Sequence, residues 1–550
     1  MRSRLRFLSL MVLTILALGM VVPAFAQDAG LTTSADGWMT YSAGSCDYGG
    51  GILSIEALDA TTVRFNLCYP DPALPSKVAF SALSIHSSDQ LEATGGGGEA
   101  LFRNPIGTGP YRLERWDLGS EIVLTRNDGY WGEPANEQTV IFRWNSEAAA
   151  RLLELQAGTV DGIDNPAPGD FDVIRNDPNL ALYDREGLNI FYLGMNNTVP
   201  PFDNVLVRQA VAHAIDKQRI VDNYYPLGSE VANQFMPPAI FGHTPEVEPF
   251  PYNPDRAREL LAEAGVELPI ETTISYRDVV RGYLPQPGVV AQDLQAQLAE
   301  VGINVTIDMQ ESGTFLDNAD AGSLSLHLLG WGADYPDATN FLDYHFGAGS
   351  SAQFGNQFEE ITVPLAAAAA LGDPADRYPL YIEANTAIRD LAPMVPIAHG
   401  ASAVAFKANV EGAHSSPLSN ENFSVMSDPD DDAIVWMQNG EPAGLYCADE
   451  TDGEALRVCE QILEPLLAYE VAGTAVIPSL ASEYESNEDG TVWTFTLREG
   501  VSFHDGSTFD ANDVVMSFGV QWDAANPLHV GRDGNFTYFS AYFNGFLNAE

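Results

Sequence analysis

Hydrophobic and polar positions alternate in two short runs far apart in the chain. In TTVRFNL at 61–67, Val63, Phe65 and Leu67 fall on one face, and in TVWTFTLR at 491–498, Trp493, Phe495 and Leu497 do the same. A period of two predicts strands. Elsewhere the apolar residues recur every fourth position. In DANDVVMSFGVQW at 510–522, Val514, Phe518 and Trp522 form a core stripe behind Asp510, a helix cap with Asp513 three residues on. NPDRARELLAEAG at 253–265 carries a cap at Asn253, a proline at the first helical position and a closing Gly265. VVAQDLQAQLAEVG at 289–302 predicts another amphipathic helix, followed by the strand INVTIDM. Strands and helices mixed in this way predict an α/β architecture.

The first 26 residues read differently. Arg2, Arg4 and Arg6 form a basic start, Phe7 to Val22 an apolar core, and Ala24-Phe25-Ala26 a small-x-small cleavage pattern before Gln27. This is the pattern of a cleaved secretory signal over 1–26, and the apolar stretch is short for a membrane span. No cysteine follows the cleavage pattern, so a lipid anchor is not expected. No other stretch of the sequence is long and apolar enough to span a membrane. The expected location is outside the cytoplasm, secreted or periplasmic.

At 550 residues the chain is long enough for two or three domains. Asp plus Glu number 76 against 26 Lys plus Arg, a formal charge of -50. That field repels phosphate backbones and anionic lipid, which argues against nucleic acid as a partner. The four cysteines, Cys46, Cys68, Cys447 and Cys459, permit three pairings. The expected one is local, 46 with 68 and 447 with 459, because the spacings do not suit zinc and an extracytoplasmic space is oxidising.

Sites for chemistry are sparse. Gly95–Gly98 lacks the Lys-Ser/Thr of a phosphate-binding loop. SDPDDDA at 427–433 lacks the spacing of a calcium loop and reads as a solvated turn. No nucleophile, zinc-hydrolase or cysteine-zinc motif is present. His399 and His504 read as structural. Neither an enzymatic activity nor a cofactor or metal is expected.

Several blocks together resemble the extracytoplasmic solute-binding proteins of peptide ABC importers, the dipeptide- and oligopeptide-binding family 5. They are NPIGTGPY at 104–111, Asp128-Gly129-Tyr130-Trp131-Gly132, VRQAVAHAID at 207–216 and GWGADYPDATNF at 330–341. EPLLAYE, VIPSLASEYE, WTFTLREGVSFHDG and DANDVV within 464–515 complete the set. The resemblance extends over nearly everything from about residue 44 onward. The block order departs from the family, in which the EPLLAYE-to-FHDG block comes first and SIEALDATTVRFNL follows the aromatic stretch that here ends the chain. The expectation is a circular permutation with the old ends fused across 420–440, a gene-model error being the competing explanation.

The resemblance implies a two-lobed periplasmic-binding-protein fold of type II, with a hinge of two segments and an extra subdomain on the first lobe. Lobe one is expected over 44–196 plus 399–550 and lobe two over 197–398. A small-molecule ligand, a short peptide, would sit between the lobes, and a monomer would deliver it to an ABC permease in the membrane. By position in the family motifs, Asp334 would receive the ligand ammonium, with Asp337 as competitor. Arg281 would receive the ligand carboxylate beside Tyr283, with Arg277 as competitor. Trp331 and Tyr335 are candidate ligand contacts, core packing being the other role for Trp331, and Asn196 lies in a stretch expected near the crossover. An oligosaccharide or a metal complex on the same scaffold is the second reading, and a secreted hydrolase the third.

Overall fold

In the computed structural model, which describes residues 29–277 and 279–549, the two alternating runs pair with each other. Strands Thr62–Leu67 and Val492–Leu497 are antiparallel neighbours, with Phe65 opposite Trp493 and Val63 opposite Phe495. They lie inside a six-stranded sheet ordered Gly30–Thr33, Met39–Ser42, Ile52–Asp59, Thr62–Leu67, Val492–Leu497, Ala481–Ser486. Period-two patterning buries one face, and helix Ala511–Trp522 covers it, with Phe65 meeting Phe518 edge-on at 5.0 Å. Asp510 and Asp513 close the helix start with a reciprocal capping box. Gly519 is required there, because a Cβ would fall 2.2 Å from the Tyr41 ring. The signal segment 1–26 lies outside the described residues.

A second, seven-stranded sheet completes lobe one. Its order is Tyr111–Asp117, Glu121–Arg126, Thr139–Trp144, Ala433–Gln438, Gly162–Asp164, Ser402–Lys407, Leu180–Arg185. Strand Ala433–Gln438 runs parallel to both of its neighbours at the centre. The acidic run just before it is the expected solvated turn at Asp430, Asp431 and Asp432, but Asp428 departs from it. Asp428 is 2% exposed and accepts a 2.6 Å bond from Lys407 Nζ, which also holds Asp161 at 2.6 Å. Only the carboxylates after it face water, because the first must anchor the strand entry.

Lobe two is built on a sheet ordered Glu230–Val231, Met394–His399, Asn189–Met195, Leu326–Gly332, Ile270–Arg277, Ile303–Gln310. Ile270–Arg277 and Ile303–Gln310 are parallel, joined through helix Pro287–Ala299. The chain passes between the two sheets twice. Strand 180–185 belongs to lobe one and 189–195 to lobe two, so the first crossover is 186–188. The second falls at 400–401, between strands Met394–His399 and Ser402–Lys407.

The crossovers meet backbone to backbone. A Cβ on Gly187 would lie 2.7 Å from the Gly400 carbonyl oxygen, and one on Gly400 would lie 2.1 Å from the Gly282 carbonyl oxygen. Asn189 ties them by donating to the Gly400 carbonyl at 2.7 Å and accepting the Gly400 N–H at 2.8 Å. Both expected disulfides, Cys46–Cys68 and Cys447–Cys459, are formed.

Family motifs distant in sequence converge on one carboxylate in lobe one. Glu464 accepts hydrogen bonds from Thr108 Oγ1 (2.7 Å), Tyr130 OH (2.7 Å) and Trp131 Nε1 (2.8 Å). The Arg498 guanidinium lies 4.4 Å from the Trp131 ring centre. Gly107 and Gly109 lie against the Ile462 backbone, where a Cβ would come within 2.0 and 2.7 Å. His504 fastens the same turn, accepting from Gly107 N–H through Nδ1 and donating through Nε2 to the Gly109 carbonyl at 3.0 Å.

Candidate ligand-binding cleft

The cleft segment begins where strand Leu326–Gly332 leaves the lobe-two sheet beside the crossover, with Ala333 N–H on the Leu188 carbonyl at 2.8 Å. Asn340 shapes the turn after the strand. Its Oδ1 accepts from Trp331 Nε1 (3.2 Å) and from Asp334 N–H (3.0 Å), while its Nδ2 donates to Asp334 Oδ2 (2.9 Å). Asp334 keeps an accessible edge but is deeply surrounded by protein, and that desolvation pushes its carboxyl up to about 7. Among the described residues no Lys or Arg forms an ion pair with it. It is a carboxylate held in place by an amide and left without a counterion.

Tyr335 carries the segment across to lobe one. It is 4% exposed and meets Tyr542 edge-on at 5.1 Å. Lys77 Nζ lies 5.8 Å from the Tyr335 ring centre, itself fixed by Asp71 at 2.7 Å and by the Tyr542 carbonyl at 3.0 Å. Burial, and after it the charge of Asp334, raises the hydroxyls of Tyr469, Tyr538 and Tyr542 well above the ordinary phenol range. These tyrosines therefore lie within electrostatic reach of Asp334. The Tyr542 hydroxyl is buried with no hydrogen-bond partner among the described residues.

Asp337 is not equivalent to Asp334. Arg377 holds it with two bonds of 3.0 and 2.8 Å, so its charge is already neutralised inside lobe two. Trp331 is half-buried and stacks on Tyr344 at 4.3 Å, which gives the packing role its geometry and leaves the partly exposed Tyr344 as the outer ring.

Arg281 sits in a tight turn, its backbone pairing with Leu284 and its Nη1 on the Val280 carbonyl at 3.2 Å. It is exposed. Tyr283 next to it packs on the cleft strand, where a Cβ on Gly330 would lie 2.4 Å from its ring. Its hydroxyl takes a bond from Arg277 Nη2 at 3.2 Å, and its carbonyl takes one from Tyr225 OH at 2.6 Å. With Gly282 against Gly400, the turn is wedged between the hinge and the strand leading to Asp334. Tyr283, Trp331, Asp334 and Tyr335 thus follow one stretch of lobe two, and Arg281 is exposed in the adjoining turn.

Asn196 does not join them. It is fully buried, donates to the Gly322 carbonyl at 2.7 Å, and accepts from Thr198 N–H and Oγ1 at 2.9 and 2.6 Å. A residue just past the end of a central strand has orphan backbone groups beside it, and this amide satisfies them. The contacts that sequence reading missed are Asn340, Lys77, Tyr469 and Tyr542. Asn340 stands inside the quoted cleft motif, whereas nothing local distinguishes Tyr542 within its aromatic run.

The fold and this cleft define a two-lobed solute-binding protein. A family model described as bacterial extracellular solute-binding proteins, family 5 middle, matches residues 27–353 and 475–535, and the chain belongs to that family. Among individual proteins, it is 31% identical over 401 residues to the dipeptide-binding protein of Escherichia coli, across 70% of this chain and 74% of that one. It is 30% identical over 383 residues to heme-binding protein A of Haemophilus influenzae, across 68% and 70%. Among solved structures, HbpA2 from Haemophilus parasuis superposes with a TM-score of 0.63 at 33% identity, covering 69% of this chain and 76% of that one. DppA from Helicobacter pylori, in complex with the peptide STSA, superposes at 0.58 with 28% identity, covering 68% and 74%. Among the described residues no helix is long and apolar enough to cross a membrane.

Proposed function

We propose that the protein captures short peptides between its two lobes outside the cytoplasm and delivers them to an ABC permease. The observation that carries this reading is Asp334, a desolvated carboxylate at the lobe interface without a cation of its own. Desolvated charge is costly unless paired, so a site of this kind is built for an incoming cation, here the peptide ammonium. Arg281, exposed in the turn beside Tyr283, receives the peptide carboxylate, for which its planar fork is suited. Tyr335 and the lobe-one tyrosines then contact ligand and opposite lobe together, so that ligand favours closure. The peptide complexes among the relatives support a peptide over an oligosaccharide or a metal complex. The protein acts by binding, with no catalytic step.

Isothermal calorimetry with dipeptides tests this. Asp334→Asn should weaken binding by about 1.5–3 kcal/mol through loss of a charge-assisted bond. Unchanged affinity would remove Asp334 from the site.

We also propose that residues 1–26 are a cleaved leader and that the chain is circularly permuted. What supports the permutation is the altered order of the family blocks. Matching of only about seven-tenths of both chains also supports it, because a sequential alignment cannot cross a permuted joint.

A further inference from the structure

Lobe two holds a cavity that shares no residue with the cleft. It has a volume of about 440 Å³ counting its open mouth and is lined by Lys217, Phe235, Phe250, Asn385, Arg389 and Met394, among others. No Asp or Glu lines it. In a chain with 76 acidic and 26 basic side chains, two cations around a cavity without an acid run against the composition.

Lys217 is the more telling of the two. It is 8% exposed, and its Nζ donates to the Ala232 carbonyl at 3.1 Å. Burial pushes its ammonium down to about 8, with no neighbouring carboxylate to restore it. It is also the first residue of helix Lys217–Tyr224, the end whose dipole disfavours a cation. Arg389 has its guanidinium 4.3 Å from the Phe250 ring centre. Its Nη1 reaches Asp390 outside the cavity, and its buried Nε has no partner among the described residues. Asn385, 2% exposed, donates to the Gly242 carbonyl and to Thr244 Oγ1 at 3.0 Å each, while its Oδ1 has no partner among the described residues. A buried donor and a buried acceptor without partners are costly in a protein that binds nothing there.

We infer that this cavity is an accessory site for a small carboxylic acid with an apolar body and a hydroxyl or amino group beside the carboxylate. Lys217 and Arg389 Nε take the carboxylate, Asn385 Oδ1 accepts the neighbouring hydrogen, and Phe235, Phe250 and Met394 enclose the apolar part. An apolar lining with a few convergent polar groups is the make-up of small-ligand sites in general.

The test is calorimetric and NMR titration of the purified protein with phenyllactate, with its neutral amide as comparator. Phenyllactate should bind saturably and at least ten-fold more tightly than the amide. Lys217→Met should lose at least ten-fold of that binding, and Asp334→Asn should leave it unchanged. Equal binding of acid and amide, an unaffected Lys217→Met variant, or loss of binding in Asp334→Asn would overturn the inference. So would no binding up to about 10 mM, weaker than any useful site. If Lys217→Met does not fold, Arg389→Gln, at a half-buried position, should weaken phenyllactate three-fold or more, and an unchanged constant there overturns the inference equally.

Discussion

Tyr41 donates its hydroxyl to Asp523 Oδ2 at 2.7 Å, across 482 positions of sequence. The other oxygen of Asp523 takes a 2.8 Å bond from Asn548 Nδ2. One carboxylate thus joins the second strand of the described chain to its last residues, and Gly51 N–H bonds the Phe543 carbonyl at 2.7 Å. A chain whose ends are this near can be joined there and opened elsewhere without loss of contacts. Linking residue 549 to residue 29 through a short flexible linker, which keeps Tyr41 and its strand, and opening the chain within 429–432 should give a folded protein with the same circular dichroism and dipeptide affinity. A collapsed or aggregated product would count against the proposed permutation.

Asp334 should make binding depend on pH near neutrality. With its carboxyl pushed up to about 7, it is increasingly protonated below that value and then offers an ammonium no charge. Dipeptide affinity should fall by about ten-fold per pH unit below 7, and Asp334→Asn should flatten the profile. Stability runs the other way. A carboxyl raised in the folded state costs nothing below its ordinary value of 3.8, and the cost grows as pH rises to 7. Asp334→Asn should therefore melt a few degrees higher than the native protein at pH 8 without ligand, while binding peptide less well. A differential scanning calorimetry series at pH 5 and pH 8 checks both signs.

Glu464 is an acceptor for three donors from two motifs, Thr108, Tyr130 and Trp131. Glu464→Gln turns one acceptor into a donor facing donors. It should cost about 1–3 kcal/mol in urea unfolding, with dipeptide affinity changed little, because the hub lies in lobe one and touches no cleft residue. A silent substitution would mean that the motifs are held by backbone packing through Gly107 and Gly109 alone.

A buried quartet fastens the seven-stranded sheet. Arg185 reaches Asp164 (3.2 Å) and Glu421 (2.5 Å), and Arg457 reaches Asp164 (3.2 Å) and Glu421 (2.9 Å). Burial works against the Glu421 anion, but the two guanidinium groups outweigh it and hold the carboxyl down to about 2. Its ordinary value is 4.5, so this stabilisation is full above about pH 4.5 and is lost as pH falls toward 2. Arg457→Met should cost about 3–5 kcal/mol by leaving buried negative charge uncompensated. It should also move the acid unfolding midpoint upward in a fluorescence titration.

The local pieces of this protein could be read from the residues. The alternation of Val63, Phe65 and Leu67 and of Trp493, Phe495 and Leu497 gave two strands, and the Asp510–Asp513 box gave a helix start, because these depend on near neighbours. The short cysteine spacings likewise pointed to both disulfides. The family motifs carried the cleft segment, since Asp334 and Asn340 lie six residues apart. What tertiary structure decided was which distant groups meet. Asp334 and Asp337 look alike in sequence, and only the reach of Arg377 neutralises one and leaves the other open. Asn196 stands in a family stretch, but burial turned its amide to Gly322 and Thr198. Which sheet each strand joins was decided by pairing, and pairing is non-local. Lys77, Tyr335 and Tyr542 come together from three regions of the chain across two lobes. No periodicity records such a meeting, because it is fixed by packing and desolvation rather than by neighbours along the backbone.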